Sequence, residues 1–134
     1  MTTDLGNAGI EDPFLYLDDV GNYHALFHHM YGEGTADRWW LDTCGGHGFS
    51  RDGRTWEYGG VAWGSAEHPL GQPVKFTDGI DTSFTRREEP HLVFNANGLP
   101  AALTNAAQYG QGREATAKGD NGDASYTMIQ PLQQ

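Results

Sequence analysis

Residues 86–94 read RREEPHLVF, and residues 11–17 read EDPFLYL. In both segments an acid stands directly before a proline, and a short apolar run follows it. The second segment matches the first when it is shifted by 77 positions, which carries Pro13 onto Pro90. A repeat of this kind predicts a fold built from repeated units, whatever the local propensities of single residues.

The match extends well beyond the prolines and brings acids into equivalent positions. Each copy predicts a strand, a glycine-containing turn and a second strand. Because Asp12 aligns with Glu89, two acids occupy one structural position in two units. Other residues that recur at this spacing are Glu11 and Glu88, Leu15 and Leu92, Gly21 and Gly98, and Ala25-Leu26 and Ala102-Leu103.

The composition favours short strands. With 134 residues the chain is expected to form one domain, over 1–134. It contains 19 glycines and 6 prolines, aromatic residues make up 12%, and no long segment has apolar residues at helical spacing. We therefore predict an all-β fold in which antiparallel strands follow one another in sequence order.

Turn residues divide the chain into two units, about 10–86 and 87–132. The prolines at 13 and 90 are expected to open strands, where a missing N–H does no harm. A hairpin is predicted around Asp78-Gly79, and residues 108–123 are expected to form a long polar loop. The predicted strands are 12–17, 23–31, 38–44, 46–51, 57–63, 74–76, 82–86, 89–95, 99–106 and 125–132.

The two aligned acids suggest a specific chemistry. Glycoside hydrolysis needs paired carboxyl groups: one protonates the leaving oxygen, while another attacks, activates water or stabilises positive charge. Asp12 and Glu89 at the starts of equivalent strands would converge. The alternative interpretation is structural: each acid caps a strand or pairs with Arg86 or Arg87.

These motifs together resemble one family. The Glu-Asp-Pro strand, the Ser-Arg-Asp-Gly-Arg-Thr-Trp turn at 50–56 and the Glu-Pro-His-Leu segment at 89–92 resemble five-bladed β-propeller glycoside hydrolases. That group includes arabinanases, β-xylosidases, invertases and levansucrases. The resemblance covers residues 10–132 and implies about half of a propeller, with two to three four-stranded antiparallel blades.

The resemblance also implies roles for individual residues. Asp12 resembles the aspartate that stabilises the transition state or tunes the acid, and Glu89 resembles the general acid. Arg87 and His91 lie where they could tune Glu89 or bind substrate. The family's third acid is an aspartate of a preceding blade, and only Asp4 precedes Asp12 here, without a strand context.

Further candidates for sugar binding are histidines and tryptophans. His47 resembles a histidine near the propeller axis, where some members hold water or an ion, so a structural calcium ion is conceivable there. His28 would line a polar cleft; together with His24 it could instead ligate zinc, although no third ligand is marked. Trp39-Trp40 could stack on a sugar, and in an extended segment the two rings would face opposite sides, which leaves one of them exposed. No cofactor and no metal site is predicted.

Charge and cysteine content limit the remaining classes. A net charge of −10 disfavours nucleic acid and anionic membranes as partners. The single cysteine, Cys44, excludes an internal disulfide, and neither a signal peptide nor a transmembrane segment is visible, so a cytoplasmic location is the default expectation. Half a propeller has unpaired strand edges, which predicts a homo-oligomer, most simply a dimer. The alternative to a glycosidase is a non-catalytic carbohydrate-binding or structural module.

Overall fold

The structure, a computed structural model, describes residues 9–30, 45–64, 74–82, 84, 86–108 and 126–132. Over these residues the chain is all-β, and they contain strands and turns without a helix. The same residues include no helix that is long and apolar enough to span a membrane. The predicted all-β class is therefore confirmed for the described residues.

The strands form two larger antiparallel sheets and one small hairpin. A four-stranded sheet has the order β1-β2-β3-β4, a three-stranded sheet has the order β7-β8-β9, and β5 pairs with β6. We call the first two sheet A and sheet C. Neighbours in sequence are neighbours in each sheet, as predicted. The bounds are β1 Gly9–Leu17, β2 Tyr23–Met30, β3 Gly45–Ser50, β4 Glu57–Trp63, β5 Val74–Lys75, β6 Asp81–Thr82, β7 Arg86–Phe94, β8 Pro100–Gln108 and β9 Tyr126–Pro131.

The first strand of each sheet begins three residues earlier than the sequence suggested. Pro13 and Pro90 do not open strands; they lie inside β1 and β7, each directly after a β-bulge residue. Pairing skips from Glu11 to Phe14 in sheet A and from Glu88 to His91 in sheet C. A proline is tolerated there because the bulge leaves its position without a ladder hydrogen bond.

The turn after each of these strands is also repeated. In sheet A the amide of Gly21 donates to the Asp18 carbonyl, and the Asp18 side chain accepts from the amides of residues 20 and 22. In sheet C the amide of Gly98 donates to the Asn95 carbonyl, and the Asn95 side chain accepts from the amides of residues 97 and 99. The 77-residue repeat thus extends from sequence to hydrogen bonding.

One difference separates the two units. Phe14 pairs with Leu26 in sheet A, whereas the equivalent His91 pairs with Thr104 instead of Leu103. A second irregularity, between Val93 and Phe94, inserts one residue into β8. A one-residue shift turns every side chain of a strand to the other face, so Leu103 points towards sheet A.

The core lies between the two sheets. Leu26 and Trp63 of sheet A and Leu103 of sheet C are buried together, and Tyr16 and Leu92 pack around them. In β1 the side chains that face sheet C are Phe14 and Tyr16. In β7 the side chains that face sheet A are Leu92 and Phe94, which the repeat makes equivalent to Leu15 and Leu17, so non-equivalent faces of the two units pack together. This front-to-back packing sets β1 beside β7.

Two other predicted features are present. The predicted Asp78-Gly79 turn joins β5 and β6. A second small core, which the sequence did not predict, contains Phe84 and Met128 with Phe76 packed against them. In the Ser50–Trp56 turn, Asp52 accepts hydrogen bonds from the amides of Arg54 and Thr55 at 2.8 and 2.7 Å. The backbone hydrogen bond from Thr55 is the first cause that lowers the pKa of Asp52 to about 2. The predicted strand at 38–44 lies outside the described residues, and so does the predicted loop at 108–123 except for Gln108, which ends β8.

The glycines of β3 allow aromatic rings to pack directly on the strand backbone. A Cβ at Gly46 would lie 2.2 Å from Cε2 of Phe27, whereas a Cβ at Gly48 would have its nearest neighbours at 3.4–3.6 Å. Phe27 is buried and cannot move aside without disturbing sheet A. Gly46 is therefore a packing requirement, not only a flexible residue.

We expect Gly46→Ala to lower the free energy of unfolding by about 1–3 kcal/mol, because the added methyl group overpacks the space held by Phe27. Gly48→Ala is the matched control on the same face of the same strand, and it should change stability by less than about 1 kcal/mol. Urea unfolding followed by circular dichroism measures both. Equal stability of the two variants would contradict the packing of Phe27 on Gly46.

Candidate functional site

Four ionisable side chains meet where β1 lies beside β7. One side-chain oxygen or nitrogen from each of Glu11, Asp12, His28 and Glu88 lies within 4.8 Å of the others. Glu11 and Asp12 come from β1, His28 from β2 and Glu88 from β7, so both sheets contribute. We call this set the acid cluster. The sequence repeat explains its composition, since Glu11 and Glu88 are equivalent residues.

Backbone strain marks the same place in both units. Asp12 has φ of 51° and Glu89 has φ of 50°, and they are the two non-glycine residues with positive φ in the described part of the chain. Left-handed backbone costs roughly 1–3 kcal/mol for such residues. A following proline further disfavours departures from extended backbone. Such strain concentrates at functional sites, and bulges re-aim the side chains beside them.

His28 supports the acid cluster from beneath. Its side chain is buried, with 1% of the residue exposed, and its Nδ1 atom lies 3.9 Å from Oε2 of Glu11 and 3.8 Å from Oε2 of Glu88. The sequence interpretation placed His28 in a substrate-binding cleft. In the structure its imidazole contacts the acids rather than open solvent.

The neighbouring Arg87 is also buried, at 5% exposure. Its Nη2 atom donates hydrogen bonds to Oδ1 of Asn105 and to Oε1 of Gln130, both at 3.1 Å. Asn105 in turn donates from Nδ2 to the carbonyl of Glu88 at 3.3 Å. Arg87, predicted to bind substrate or tune the acid, therefore anchors the bulge of β7 through Asn105.

Other predicted residues lie elsewhere. Glu89 is exposed and its carboxyl group is not part of the acid cluster, although its backbone carries the strain. His91 is exposed, with Nδ1 3.3 Å from the Glu89 carbonyl oxygen and its ring centroid 5.1 Å from that of Phe14. Trp39 and Trp40 lie outside the described residues.

His47 belongs to a separate chain of polar contacts on sheet A. Its Nε2 atom lies 2.8 Å from Nδ1 of His24, and Nε2 of His24 lies 3.3 Å from Oδ2 of Asp18. With neutral rings, His47 donates to His24, which donates to Asp18. Tyr16 stacks on His24, with ring centroids 4.8 Å apart. His47 is thus paired with His24 rather than with the acid cluster.

The spacing within the acid cluster limits its chemistry. In inverting glycosidases the two carboxyl groups are roughly 6.5–9.5 Å apart to admit a water molecule, and in retaining enzymes they are roughly 5–5.5 Å apart. Oxygens of Asp12 and Glu88 lie within 4.8 Å of each other. This distance suits direct contact of both groups with one reacting centre. Carboxylate oxygens and imidazole nitrogen are also donors that divalent cations bind, so these four residues could hold one.

Reasoning from the sequence identified Asp12 and His28 but did not single out Glu11 and Glu88. The signal was available, because both glutamates recur at the 77-residue spacing and both precede the strained residue. What the sequence could not supply was the direction of each side chain after the bulge.

Comparison of the chain with family models, with curated proteins and with solved structures finds no match in any of the three.

The histidine pair should make stability depend on pH. Burial first, and then the charge of nearby His24, lowers the pKa of His47 from its ordinary value of 6.5. As the pH falls below about 6.5, the unfolded chain takes up a proton that folded His47 resists, so the free energy of unfolding decreases. His47→Gln keeps a donor for His24 and removes this titration.

We therefore expect the decline of stability between pH 7 and pH 5 to be shallower in His47→Gln than in the wild type. Urea unfolding at several pH values measures it. His91→Gln is the control, because His91 is an exposed histidine outside this pair. An unchanged slope in His47→Gln would show that His47 does not carry the effect.

Proposed function

We propose that this chain is the acid-bearing part of a β-propeller glycoside hydrolase and that its substrate is a carbohydrate. One observation carries the proposal: carboxyl groups of Asp12 in β1 and Glu88 in β7 converge from the two packed sheets, at strained bulges that occupy the same position of two repeated units. The four sequential antiparallel strands of sheet A and its front-to-back packing on sheet C support a blade-like arrangement.

In this proposal Glu88 is the proton donor, in place of Glu89. The Glu88 side chain is 17% exposed and lies beside Asp12, whereas Glu89 is exposed and outside the acid cluster. A donor must reach the leaving oxygen while water is largely excluded, which favours the half-buried group. His28 and the Arg87–Asn105 contact hold the β7 bulge and its acid in place.

The reaction follows from these positions. The Glu88 carboxyl group donates its proton to the glycosidic oxygen as the bond between that oxygen and the anomeric carbon breaks. Positive charge then develops at the anomeric carbon, and the carboxylate of Asp12 stabilises it. Water adds to this carbon, and the proton that water loses replaces the one given up by Glu88.

We expect slow hydrolysis of aryl arabinofuranosides, xylosides or fructosides by the purified chain, because no third acid is assigned to activate water. Glu88→Gln should lower the rate by roughly 10²–10⁴, the usual contribution of a general acid. Glu89→Gln is the matched control, since it makes the same change one residue later, and it should leave most of the rate. Release of the aryl group measures turnover.

The pattern of the two variants decides among the alternatives. Loss of activity in Glu89→Gln with activity retained in Glu88→Gln would assign the donor to Glu89 and refute the geometric argument for Glu88. Absence of turnover, together with sugar binding that Asp12→Ala abolishes, would support a non-catalytic carbohydrate-binding module instead. Absence of both turnover and sugar binding would refute the proposed function.

A further inference from the structure

Two apolar faces remain exposed, one on each side of the packed pair of sheets. The face of sheet A that points away from sheet C carries Leu15 and Leu17 of β1, with Tyr23 and Val61; we call it the A flank. Leu15 is 61% exposed. Large exposed apolar side chains that share one face indicate a surface for association.

The opposite exposed face belongs to sheet C. Val93 of β7 and Ile129 of β9 share it with the small side chains of Ala102 and Thr104, and we call it the C flank. Ile129 is 64% exposed and Val93 is 49% exposed. Small residues between two apolar ones leave room for the side chains of a partner.

The contact inside the chain indicates what fits these flanks. There, the face of the first unit that contains Phe14 and Tyr16 packs on the face of the second unit that contains Leu92 and Phe94. The C flank contains Val93, which the repeat makes equivalent to Tyr16 of the first unit's packed face. The A flank contains Leu15 and Leu17, which are equivalent to Leu92 and Phe94 of the second unit's packed face.

Along β1 and β7 the exposed flanks therefore correspond to the two faces of a contact that the chain already makes once, whereas the shift in β8 gives the C flank different neighbours, Ala102 and Thr104. We propose that the C flank of one chain binds the A flank of a second copy of the same chain, by the front-to-back packing that joins sheet A to sheet C. The contact is heterologous: it closes into a two-membered ring when it relates the two copies by a half-turn, so that each chain uses both flanks, and an unclosed contact would instead give larger assemblies. This proposal does not depend on the proposed chemistry.

At moderate salt we expect the burial of apolar side chains to outweigh the repulsion between two negatively charged chains. A net charge of −10 on each chain opposes association at long range, but ions screen this repulsion within roughly 8 Å at 0.15 M ionic strength. Burial of the leucine, valine and isoleucine side chains supplies the attraction. A lysine on either flank would be buried in the contact without an oppositely charged partner, which opposes association. The same lysine makes the net charge of the chain less negative, which reduces the long-range repulsion. Weaker association of such a variant would report lost apolar contact and not added repulsion.

The test compares three single lysine variants by sedimentation at micromolar concentrations in 0.15 M salt. The wild type should sediment at twice the chain mass of 14.7 kDa. Leu15→Lys on the A flank and Ile129→Lys on the C flank should each weaken self-association at least about tenfold. Ile80→Lys is the matched control, because Ile80 is 61% exposed, lies in the β5–β6 turn and belongs to neither flank. Circular dichroism checks that all three variants fold.

A mixture of Leu15→Lys and Ile129→Lys distinguishes the proposed arrangement from a symmetric one. In a mixed head-to-tail pair, the unaltered C flank of Leu15→Lys meets the unaltered A flank of Ile129→Lys. One of the two contacts is then intact, so the mixture should associate more strongly than either variant alone. The proposal is overturned by a wild type that stays at the mass of one chain. It is also overturned if Ile80→Lys weakens association as much as the flank variants do, or if Ile129→Lys has no effect while Leu15→Lys abolishes association.

Discussion

The left-handed backbone at Asp12 and Glu89 is the constraint on which the rest of the structure depends. Each residue is an extra position in its strand, and hydrogen-bonded pairing with the neighbouring strand is interrupted there. Because of that interruption, a proline can follow inside the strand. Without the bulge, the preceding glutamate would follow the regular alternation of the strand. With it, acids from β1 and β7 converge on His28. Two strained residues at one repeat position are not explained by turn formation, because both lie in mid-strand.

The strain persists because buried groups on both sides hold it. In sheet C, Arg87 and Asn105 form hydrogen bonds beneath the bulge, and Asn105 donates to the carbonyl of Glu88. In sheet A, His28 lies under Glu11 and also reaches Glu88. Buried polar groups of this kind are costly unless they are satisfied, so they fix one arrangement strongly. The same contacts that stabilise the bulges therefore position the carboxyl groups.

The two units are not copies in every respect. An extra residue in β8 shifts its pairing with β7 by one position and turns Leu103 towards Leu26 and Trp63. That shift gives the core between the sheets a leucine from each unit. It also places Ala102 and Thr104, two small residues, on the exposed face of sheet C beside Ile129. The repeat thus supplies the architecture, and the deviation from it supplies the packing.

The sequence by itself determined the all-β class, the order of the strands, the two aspartate- and asparagine-based turns and the equivalence of Asp12 with Glu89. These features are local or periodic: turn residues, alternation and a shared spacing report them directly. It did not determine that Pro13 and Pro90 lie inside strands, or that Glu88 rather than Glu89 meets Asp12. Side-chain direction at a bulge depends on backbone dihedral angles and on the partner strand, and only tertiary packing fixes both.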